Sequence, residues 1–350
     1  MTPDELRNSF QTFFQQATGK STPYPYQQRL ATGREFPAIL SVPTGIGKTA
    51  TIILGWLFRR RFHPEKEICN TMPRRLVYCL PMRTLVEQTR EECVKWLKNL
   101  QLDEEISVHI LMGGENSADG DLTWNEHPER DAILIGTQDM LLSRALNRGY
   151  GMSRYRWPMH FALLNNDCLW VLDETQLMGV GLTTSAQLAG LREKFSAYGT
   201  TRTLWMSATL DRNALRTVDH SELIGDDRVH ILEKADRELE SVRQLLTAGK
   251  SLEQCSVSLT VGNEQKYDKE LAAAVVEAHR AGTLTLVILN RVARAQKVFQ
   301  AVQKSLNERD ESPETFLIHS RFRPYERGPI QKQSFNEDTI SKNGPIEATS

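Results

Sequence analysis

The sequence lacks several features that define other classes of protein. It has no run of about 18 apolar residues, the length that a membrane-spanning helix needs. Lysines and arginines number 43 against 44 aspartates and glutamates, so no overall positive field draws nucleic acid to the chain. Any contact with nucleic acid must therefore come from local patches and backbone donors. Internal repeats and low-complexity tracts are also absent from the sequence.

The five cysteines form no pattern typical of a disulfide framework or a metal site. No C-x-x-C pair occurs, and an odd number of unpaired cysteines fits a reducing cytoplasm, where we place the protein. Charged residues from Asp4 onward exclude the apolar region of a signal peptide. Instead, Thr2 and Glu5 predict a capping box at the start of a helix. Gly19 is predicted to end that helix.

Short apolar runs alternate with segments of helical periodicity from about residue 36 onward. The runs are nearly continuous in apolar residues, which is typical of parallel strands covered on both faces. The predicted strands are residues 37–42, 76–80, 108–112, 132–135, 169–172 and 203–206, and the predicted helices include 48–61 and 85–100. The pattern therefore predicts an α/β fold, with a doubly wound parallel sheet in the first domain.

The pattern becomes looser and more charged after residue 211. We predict a first domain over residues 1–225 and a linker or insertion over 226–283. A second α/β pattern follows, with strands at 284–289 and 316–319 and a helix between them. Since two strands do not close a stable core of this type, residues 284–350 are expected to form an incomplete second domain.

A loop between a predicted strand and a predicted helix carries the strongest chemical signal. Residues 42–49 read Val-Pro-Thr-Gly-Ile-Gly-Lys-Thr, with Val42 where the general motif has its first glycine. The glycines let the backbone approach a polyphosphate, and the N-terminus of the helix directs N–H groups at it. We expect Lys48 to contact the β- and γ-phosphates and Thr49 to bind Mg²⁺. The predicted phosphate-binding residues are Thr44, Gly45, Ile46, Gly47, Lys48 and Thr49.

Two adjacent carboxylates, Asp173 and Glu174, follow another predicted strand. Open α/β sheets bind ligands at the carboxyl edge of their strands. Asp173 is predicted to bind Mg²⁺ together with Thr49, and Glu174 to accept a proton from the attacking water. An isolated strand end of this kind is as often a polar helix cap, but beside a phosphate loop it predicts a nucleotide hydrolase. We assign Gln176 to the catalytic set with Glu174 and Lys48.

Polar side chains at other strand ends complete an ordered set of motifs. Tyr26 and Gln27 precede the phosphate loop, where an aromatic ring and an amide can hold adenine. Ser207 and Thr209 follow the strand at 203–206. Hydroxyl, amide and guanidinium donors suited to a phosphodiester backbone are Arg83, Thr84, Thr137 and Gln138. Each alone is better explained as a strand-end turn, and the order along the chain makes the set specific.

This ordered set resembles the superfamily 2 helicases of the DEAD/DEAH type. In more detail it resembles the CRISPR-associated helicase-nuclease of type I systems. That closer resemblance rests on Tyr26-Gln27, on residues 136–150 (GTQDMLLSRALNRGY), on residues 172–179 (LDETQLMG) and on residues 317–322 (LIHSRF). Gln176 stands where that family more often has histidine.

The resemblance implies RecA-like domains, the second incomplete, with ATP and Mg²⁺ as cofactors. It implies translocation on single-stranded DNA, with recruitment by a guide-RNA surveillance complex in antiviral defence. Ser207 and Thr209 are expected to couple hydrolysis to movement. Arg321, Arg323 and Arg327 lie in a stretch, 280–332, with ten basic residues against five acids. This stretch fits a phosphate-backbone contact, with Arg321 as our candidate, and fits a solvated helix face equally well.

The sequence departs from the resembled family in two respects. No adjacent His-Asp pair occurs, so we expect no HD nuclease in this chain. Motifs V and VI, with the arginine that reaches the γ-phosphate, are absent from the 350 residues. We therefore expect ATP binding with weak hydrolysis unless a partner supplies the missing half.

Alternatives to a DNA-stimulated ATPase stay open at this point. One is an inactive or partner-dependent ATP-binding fragment, and another is a double-strand DNA translocase. RNA as the substrate is also compatible with contacts to the backbone.

Overall fold

The structure is a computed structural model that describes residues 2–19, 22–113, 123–149, 152–249, 252–308, 313–319, 321–322, 326 and 329–330. The chain divides into a first unit, residues 1–246, and a second unit, residues 247–350.

A parallel β-sheet forms the centre of the first unit. Its strands are β1 Ile39–Ser41, β2 Arg75–Leu80, β3 Ser107–Leu111, β4 Ala132–Thr137, β5 Cys168–Leu172, β6 Arg202–Met206 and β7 Val229–Ile231. The order of these seven strands is β3-β4-β2-β5-β6-β1-β7, and all neighbours pair in parallel. The six predicted strands and the predicted α/β parallel sheet are confirmed.

Helices cover both faces of the sheet. In the described part of the first unit the helices are α1 Pro3–Thr18, α2 Pro25–Thr32, α3 Lys48–Leu57, α4 Lys66–Thr71, α5 Arg83–Asn99, α6 Thr123–Glu126, α7 Gln138–Ala145, α8 Trp157–Asn165, α9 Val180–Phe195, α10 Lys234–Glu238 and α11 Glu240–Thr247. The helices α12 Glu264–Ala278 and α13 Val292–Glu308 belong to the second unit. Apolar residues of α1, α2, α3 and α5 form one buried cluster, and those of α7, α8 and α9 form another. The two clusters lie on opposite faces because neighbouring residues of a strand point to opposite sides.

The first helix has the predicted capping box. The Thr2 hydroxyl accepts from the Glu5 backbone N–H at 3.2 Å, and the Glu5 carboxylate accepts from the Thr2 N–H at 2.7 Å. Gly19 ends the helix with φ 70°, a left-handed conformation that glycine adopts without strain. The aromatic face of α1, which includes Phe10 and Phe14, is buried in the core.

Strand β7 extends the first unit beyond the predicted boundary at residue 225. It pairs with β1, with Val229 opposite Ile39, so these residues belong to the sheet rather than to a linker. The strand has only three residues and none of them is fully buried. Such a short, half-exposed strand within a charged stretch gives little apolar periodicity to detect.

The second unit contains α12 and α13, which confirms the helix predicted after residue 289. The predictions of strands at 284–289 and 316–319 are wrong for the described residues, because neither segment forms a strand ladder. Both segments instead line a cavity of about 550 Å³ together with the two helices. Leu286 and Ile288 are 59% and 83% exposed. The described residues of this unit contain no strand that could pair with them, and a strand needs a partner to form a ladder. Among the described residues, we find no helix with the length and apolar character needed to span a bilayer.

Candidate nucleotide-binding site

The phosphate loop connects β1 to α3, as the sequence predicts. Gly45 and Gly47 have φ angles of 85° and 80°, which residues other than glycine rarely adopt. Gly47 directly precedes α3, so Lys48 and Thr49 occupy its first turn. The loop therefore directs backbone N–H groups and the helix N-terminus at one point, an arrangement that favours phosphate.

Lys48 and Glu174 meet at the carboxyl edge of the sheet. The Lys48 Nζ atom lies 3.3 Å from Glu174 Oε1, and the Lys48 side chain is buried. The pair joins the loop after β1 to the residues after β5, although β6 lies between these strands. The lysine and the carboxylate predicted to act on one nucleotide are thus in direct contact.

Asp173 and Thr49 provide two oxygen atoms suited to Mg²⁺. The hydroxyl of Tyr78 donates to Asp173 Oδ2 at 2.7 Å and lies 3.5 Å from Thr49 Oγ1, so the two predicted ligands share one neighbour. Mg²⁺ in nucleotide sites is commonly held by one or two protein oxygens together with phosphates and water. No cluster of three or more His, Cys, Asp or Glu suited to a metal occurs in the described part of the chain. The residues present therefore fit a Mg²⁺ ion that enters with its nucleotide.

Burial shapes the electrostatics of this carboxylate. It raises the pKa of Asp173, while the hydrogen bond from Tyr78 and the charge of Lys48 oppose the rise. Burial and the neighbouring carboxylate raise the pKa of Tyr78 well above its usual value. Tyr78 consequently remains a neutral hydrogen-bond donor to Asp173.

A chain of hydrogen bonds runs from Glu174 to the predicted coupling residues. The Gln176 amide donates to Glu174 Oε2, and its Oε1 atom accepts from the Ser207 hydroxyl at 2.8 Å. Ser207 Oγ in turn accepts from the Thr209 N–H at 3.0 Å. Gln176 thus connects the strand end after β5 with the one after β6. The side chain of Gln176 is thus bonded to both Glu174 and Ser207.

Tyr26 and Gln27 hold the phosphate loop from its other side. The Tyr26 hydroxyl donates to the Ile46 carbonyl at 2.6 Å, and burial raises the pKa of Tyr26. Gln27 donates through Nε2 to the Gly47 carbonyl at 3.1 Å, while its Oε1 accepts from the Tyr24 N–H at 2.9 Å. In this structure Gln27 is buried and its amide links α2 to the loop. Its predicted contact with adenine stays a prediction.

The predicted nucleic-acid contacts occupy different environments. Arg83 and Thr84 are exposed at the start of α5. Thr137 is buried at the start of α7, and Gln138 packs closely against Gly181. Arg321 is exposed and belongs to the second unit. Arg323 and Arg327 lie outside the described residues.

Two residues of the site escaped sequence reasoning. Tyr78 lies within the apolar strand β2, where an aromatic residue predicts only packing. Thr51 follows the loop by two residues and is fully buried in α3. The Thr51 hydroxyl lies 2.8 Å from the Gly47 carbonyl and accepts from the Gln27 amide at 2.9 Å. Both residues place a hydroxyl group at a core position, and a buried hydroxyl needs a hydrogen-bond partner. That requirement was the feature of the sequence that could have identified them.

Comparison of the sequence with known protein families identifies the family of this chain. The sequence profile of the DEAD/DEAH box helicase family matches residues 24–217, which is more than half of the chain. The match includes both residues of the Tyr26-Gln27 pair and extends through Thr209. The chain belongs to the DEAD/DEAH box helicase family.

Solved structures of helicases share the fold at low sequence identity. S. cerevisiae Dbp5 bound to RNA and ADP BeF3 superposes with a TM-score of 0.54 at 16% identity, over 97% of this chain and 73% of that one. The DUF1998 helicase MrfA bound to DNA superposes with a TM-score of 0.59 at 14% identity, over 96% of this chain and 44% of MrfA. Mycobacterium smegmatis Lhr bound to ssDNA and AMP-PNP superposes with a TM-score of 0.56 at 15% identity, over 95% of this chain and 40% of Lhr.

The chain thus spans less than half of MrfA and of Lhr. No curated protein sequence matches the chain. The family match and the shared fold define the first unit as a helicase-type ATP-binding domain with a RecA-like fold. Members of this family bind ATP, typically with Mg²⁺.

Proposed function

We propose that this chain is the ATP-binding lobe of an ATP-dependent motor that moves on single-stranded DNA. The observation that carries the proposal is the continuous contact from Lys48 through Glu174 and Gln176 to Ser207. It connects the groups suited to phosphate binding and water activation with the residues proposed to couple hydrolysis to movement. The proposal includes Mg²⁺ held by Thr49 and Asp173.

The contact between Lys48 and Glu174 supports a defined order of events. A triphosphate in the loop competes with Glu174 for the Lys48 ammonium, since its several negative charges attract the ammonium more strongly than a single carboxylate does. Released from Lys48, the Glu174 carboxylate accepts a proton from the attacking water. Gln176 then transmits the altered position of Glu174 to Ser207.

The proposed biological setting is CRISPR antiviral defence in the cytoplasm. Its support is the likeness of residues 136–150, 172–179 and 317–322 to the helicase part of the type I helicase-nuclease. In this setting a guide-RNA surveillance complex recruits the motor to the DNA strand that it displaces. A pull-down with a target-bound complex tests the setting: retention of this chain supports it, and no retention contradicts it.

Steady-state ATP hydrolysis by the full chain tests the enzymatic proposal. We expect weak turnover that rises with single-stranded DNA and is lost in Glu174→Gln, while ATP binding persists in that variant. Glu193→Gln, an exposed change on α9, is the matched control and should leave turnover unchanged. Turnover of equal size in Glu174→Gln would contradict the assigned role.

The choice of nucleic acid separates the alternatives. Stronger stimulation by duplex DNA would replace the proposal with a double-strand translocase. Stronger stimulation by RNA would move the substrate to RNA, a nucleic acid that also occurs in the Dbp5 complex. ATP binding without turnover on any nucleic acid would identify a fragment that depends on a partner.

A further inference from the structure

Asp236 lies outside the family match and still contacts a predicted nucleotide-binding motif. It belongs to α10, and its side chain is 0% exposed. Its carboxylate accepts three hydrogen bonds, from the Tyr26 N–H at 2.7 Å, from Arg29 Nη2 at 2.8 Å and from the Glu233 N–H at 2.8 Å. A buried carboxylate is stable only with such partners. Two of the three donors belong to α2, more than 200 residues earlier in the chain.

Neighbours of Asp236 hold the same turn of α2. His230 in β7 donates through Nε2 to the Tyr26 carbonyl at 2.8 Å, because a carbonyl oxygen only accepts. Both backbone polar groups of Tyr26 are therefore bonded to the segment 229–238. Arg29 Nε also lies 3.1 Å from Glu233 Oε1, and its Nη2 donates to the Ile231 carbonyl at 3.1 Å. Tyr26 and Arg29 of α2 are thus both held by contacts from residues 230–236.

This turn of α2 is hydrogen-bonded to the phosphate loop. Two hydrogen bonds separate Asp236 from the loop: the bond from the Tyr26 N–H to Asp236 and the bond from the Tyr26 hydroxyl to the Ile46 carbonyl. Gln27, the next residue, donates to the Gly47 carbonyl. Leu245 of the following helix α11 lies beside the loop as well, since a Cβ built at Gly45 would lie 3.0 Å from Leu245 Cδ1.

We propose that Asp236 is a positioning residue of the nucleotide site. It fixes the N-terminal turn of α2, and through Tyr26 it holds the phosphate loop in the shape that accepts a triphosphate. The inference rests on the proposed function, because it requires that the loop binds ATP. The nucleotide site then extends to α10, beyond the matched residues 24–217.

Asp236→Asn is the variant that tests the inference. It keeps the shape of the side chain but sets an N–H₂ group against donors that need an acceptor. We expect Mg²⁺–ATP to bind about tenfold more weakly in a calorimetric titration of the full chain. Glu238→Gln is the matched control on the same helix, because Glu238 is 66% exposed, and it should bind as the parent chain does.

A double-mutant cycle separates positioning from a loss of overall stability. Tyr26→Phe removes only the hydroxyl, which donates to the Ile46 carbonyl and lies 2.9 Å from Thr51 Oγ1. If Asp236 acts through Tyr26, the double variant binds ATP no more weakly than the weaker-binding single variant. Free energies that simply add would overturn the inference. Equal ATP affinity of a folded Asp236→Asn variant and the parent chain would also overturn it.

A second variant covers the case in which Asp236→Asn does not fold. Arg29→Lys keeps the charge but removes the guanidinium fork that bridges Asp236, Glu233 and the Ile231 carbonyl. We expect weaker ATP binding in this variant too, and unchanged affinity would overturn the inference. A parent chain that does not bind ATP at all would instead refute the proposed function, so the two failures are distinguishable.

Discussion

Glu174 adopts a backbone conformation that residues other than glycine rarely take. Its φ and ψ angles are 51° and 47°, in the left-handed region. Such a conformation costs on the order of 1 kcal/mol and persists only where neighbouring contacts hold it. Here the Glu174 N–H donates to Asp173 Oδ1 at 2.8 Å, and the side chain reaches Lys48 and Gln176. The strain therefore aims one carboxylate at both the phosphate loop and the coupling residues.

Removal of the Tyr78 hydroxyl should weaken the Mg²⁺ site. In Tyr78→Phe, Asp173 Oδ2 loses its 2.7 Å donor, and the carboxylate is no longer held beside Thr49. We expect the half-saturating Mg²⁺ concentration for ATP binding to rise by about tenfold, the scale of a hydrogen bond to a charged group. A titration of Mg²⁺ at fixed ATP measures this, with the exposed Tyr155→Phe as control. Identical Mg²⁺ dependence would show that Tyr78 is only a packing residue.

Sequence reasoning identified the residues of this site that are local to a motif. Lys48 follows β1 after the loop 42–47, and Glu174 follows β5 after Asp173, so their positions at one sheet edge follow from the topology. Tyr78 and Thr51 were not identified, because hydrophobic periodicity assigns both to the core. Asp236 was not identified either. Its contacts join residues about 210 positions apart, and no local pattern contains that information.

At the scale of elements, β3 and β4 leave no room for a side chain at Gly136. A Cβ built there would lie 2.4 Å from the Leu111 carbonyl oxygen and 3.0 Å from Leu141 Cγ. Both neighbours belong to packed elements, the strand β3 and the helix α7. Gly136 therefore allows β3 and α7 to pack closely against β4. It is also the first residue of the stretch 136–150.

Gly136→Ala should accordingly destabilise the first unit. We expect the free energy of unfolding to fall by about 1–3 kcal/mol, the usual range for overpacking. Chemical denaturation measures the change. Gly113→Ala is the control, since its Cβ would meet the flexible ends of two side chains, Arg83 at 3.4 Å and Met140 at 4.0 Å. Equal stability of the two variants would contradict the predicted clash.

Helix α8 carries a histidine that stays neutral in the folded chain. Burial, together with the charges of Arg144 and Arg156, lowers the pKa of His160 from 6.5 to about 4. The unfolded chain binds this proton more tightly, so the contribution of His160 is fully present above pH 6.5 and is lost as pH falls toward 4.

His160→Gln should therefore lose less stability than the parent chain between these pH values. Denaturation curves at several pH values measure the difference in the free energy of unfolding. His127→Gln, a change at an exposed site, is the control. A parallel loss of stability in His160→Gln and the parent chain would contradict a neutral buried His160.

The elements differ in how far the sequence determines them. The six predicted strands form continuous apolar runs between helices, and the sheet contains all of them. β7 has three half-exposed residues, too few to set a period. The segments 284–289 and 316–319 have the apolar composition of strands but pair with nothing in the described chain. A strand needs a partner as well as a pattern.

At the scale of the whole molecule, the chain carries a net charge of −1 and divides into units at residue 246. Every contact described for the nucleotide site lies within the first unit. A chain without a strong global field depends on such local geometry to bind an anionic nucleotide. We therefore expect ATP binding to be a property of residues in the first unit.

Equilibrium binding of Mg²⁺–ATP to the full chain, beside Lys48→Ala, tests this most directly. We predict that the parent chain binds and that the variant binds about tenfold to a hundredfold more weakly, the scale of a charge-assisted hydrogen bond to phosphate. Lys66→Ala, an exposed change on α4, should bind as the parent does. Equal affinity of the parent chain and Lys48→Ala, or no binding by the parent chain, would contradict a nucleotide site at this loop.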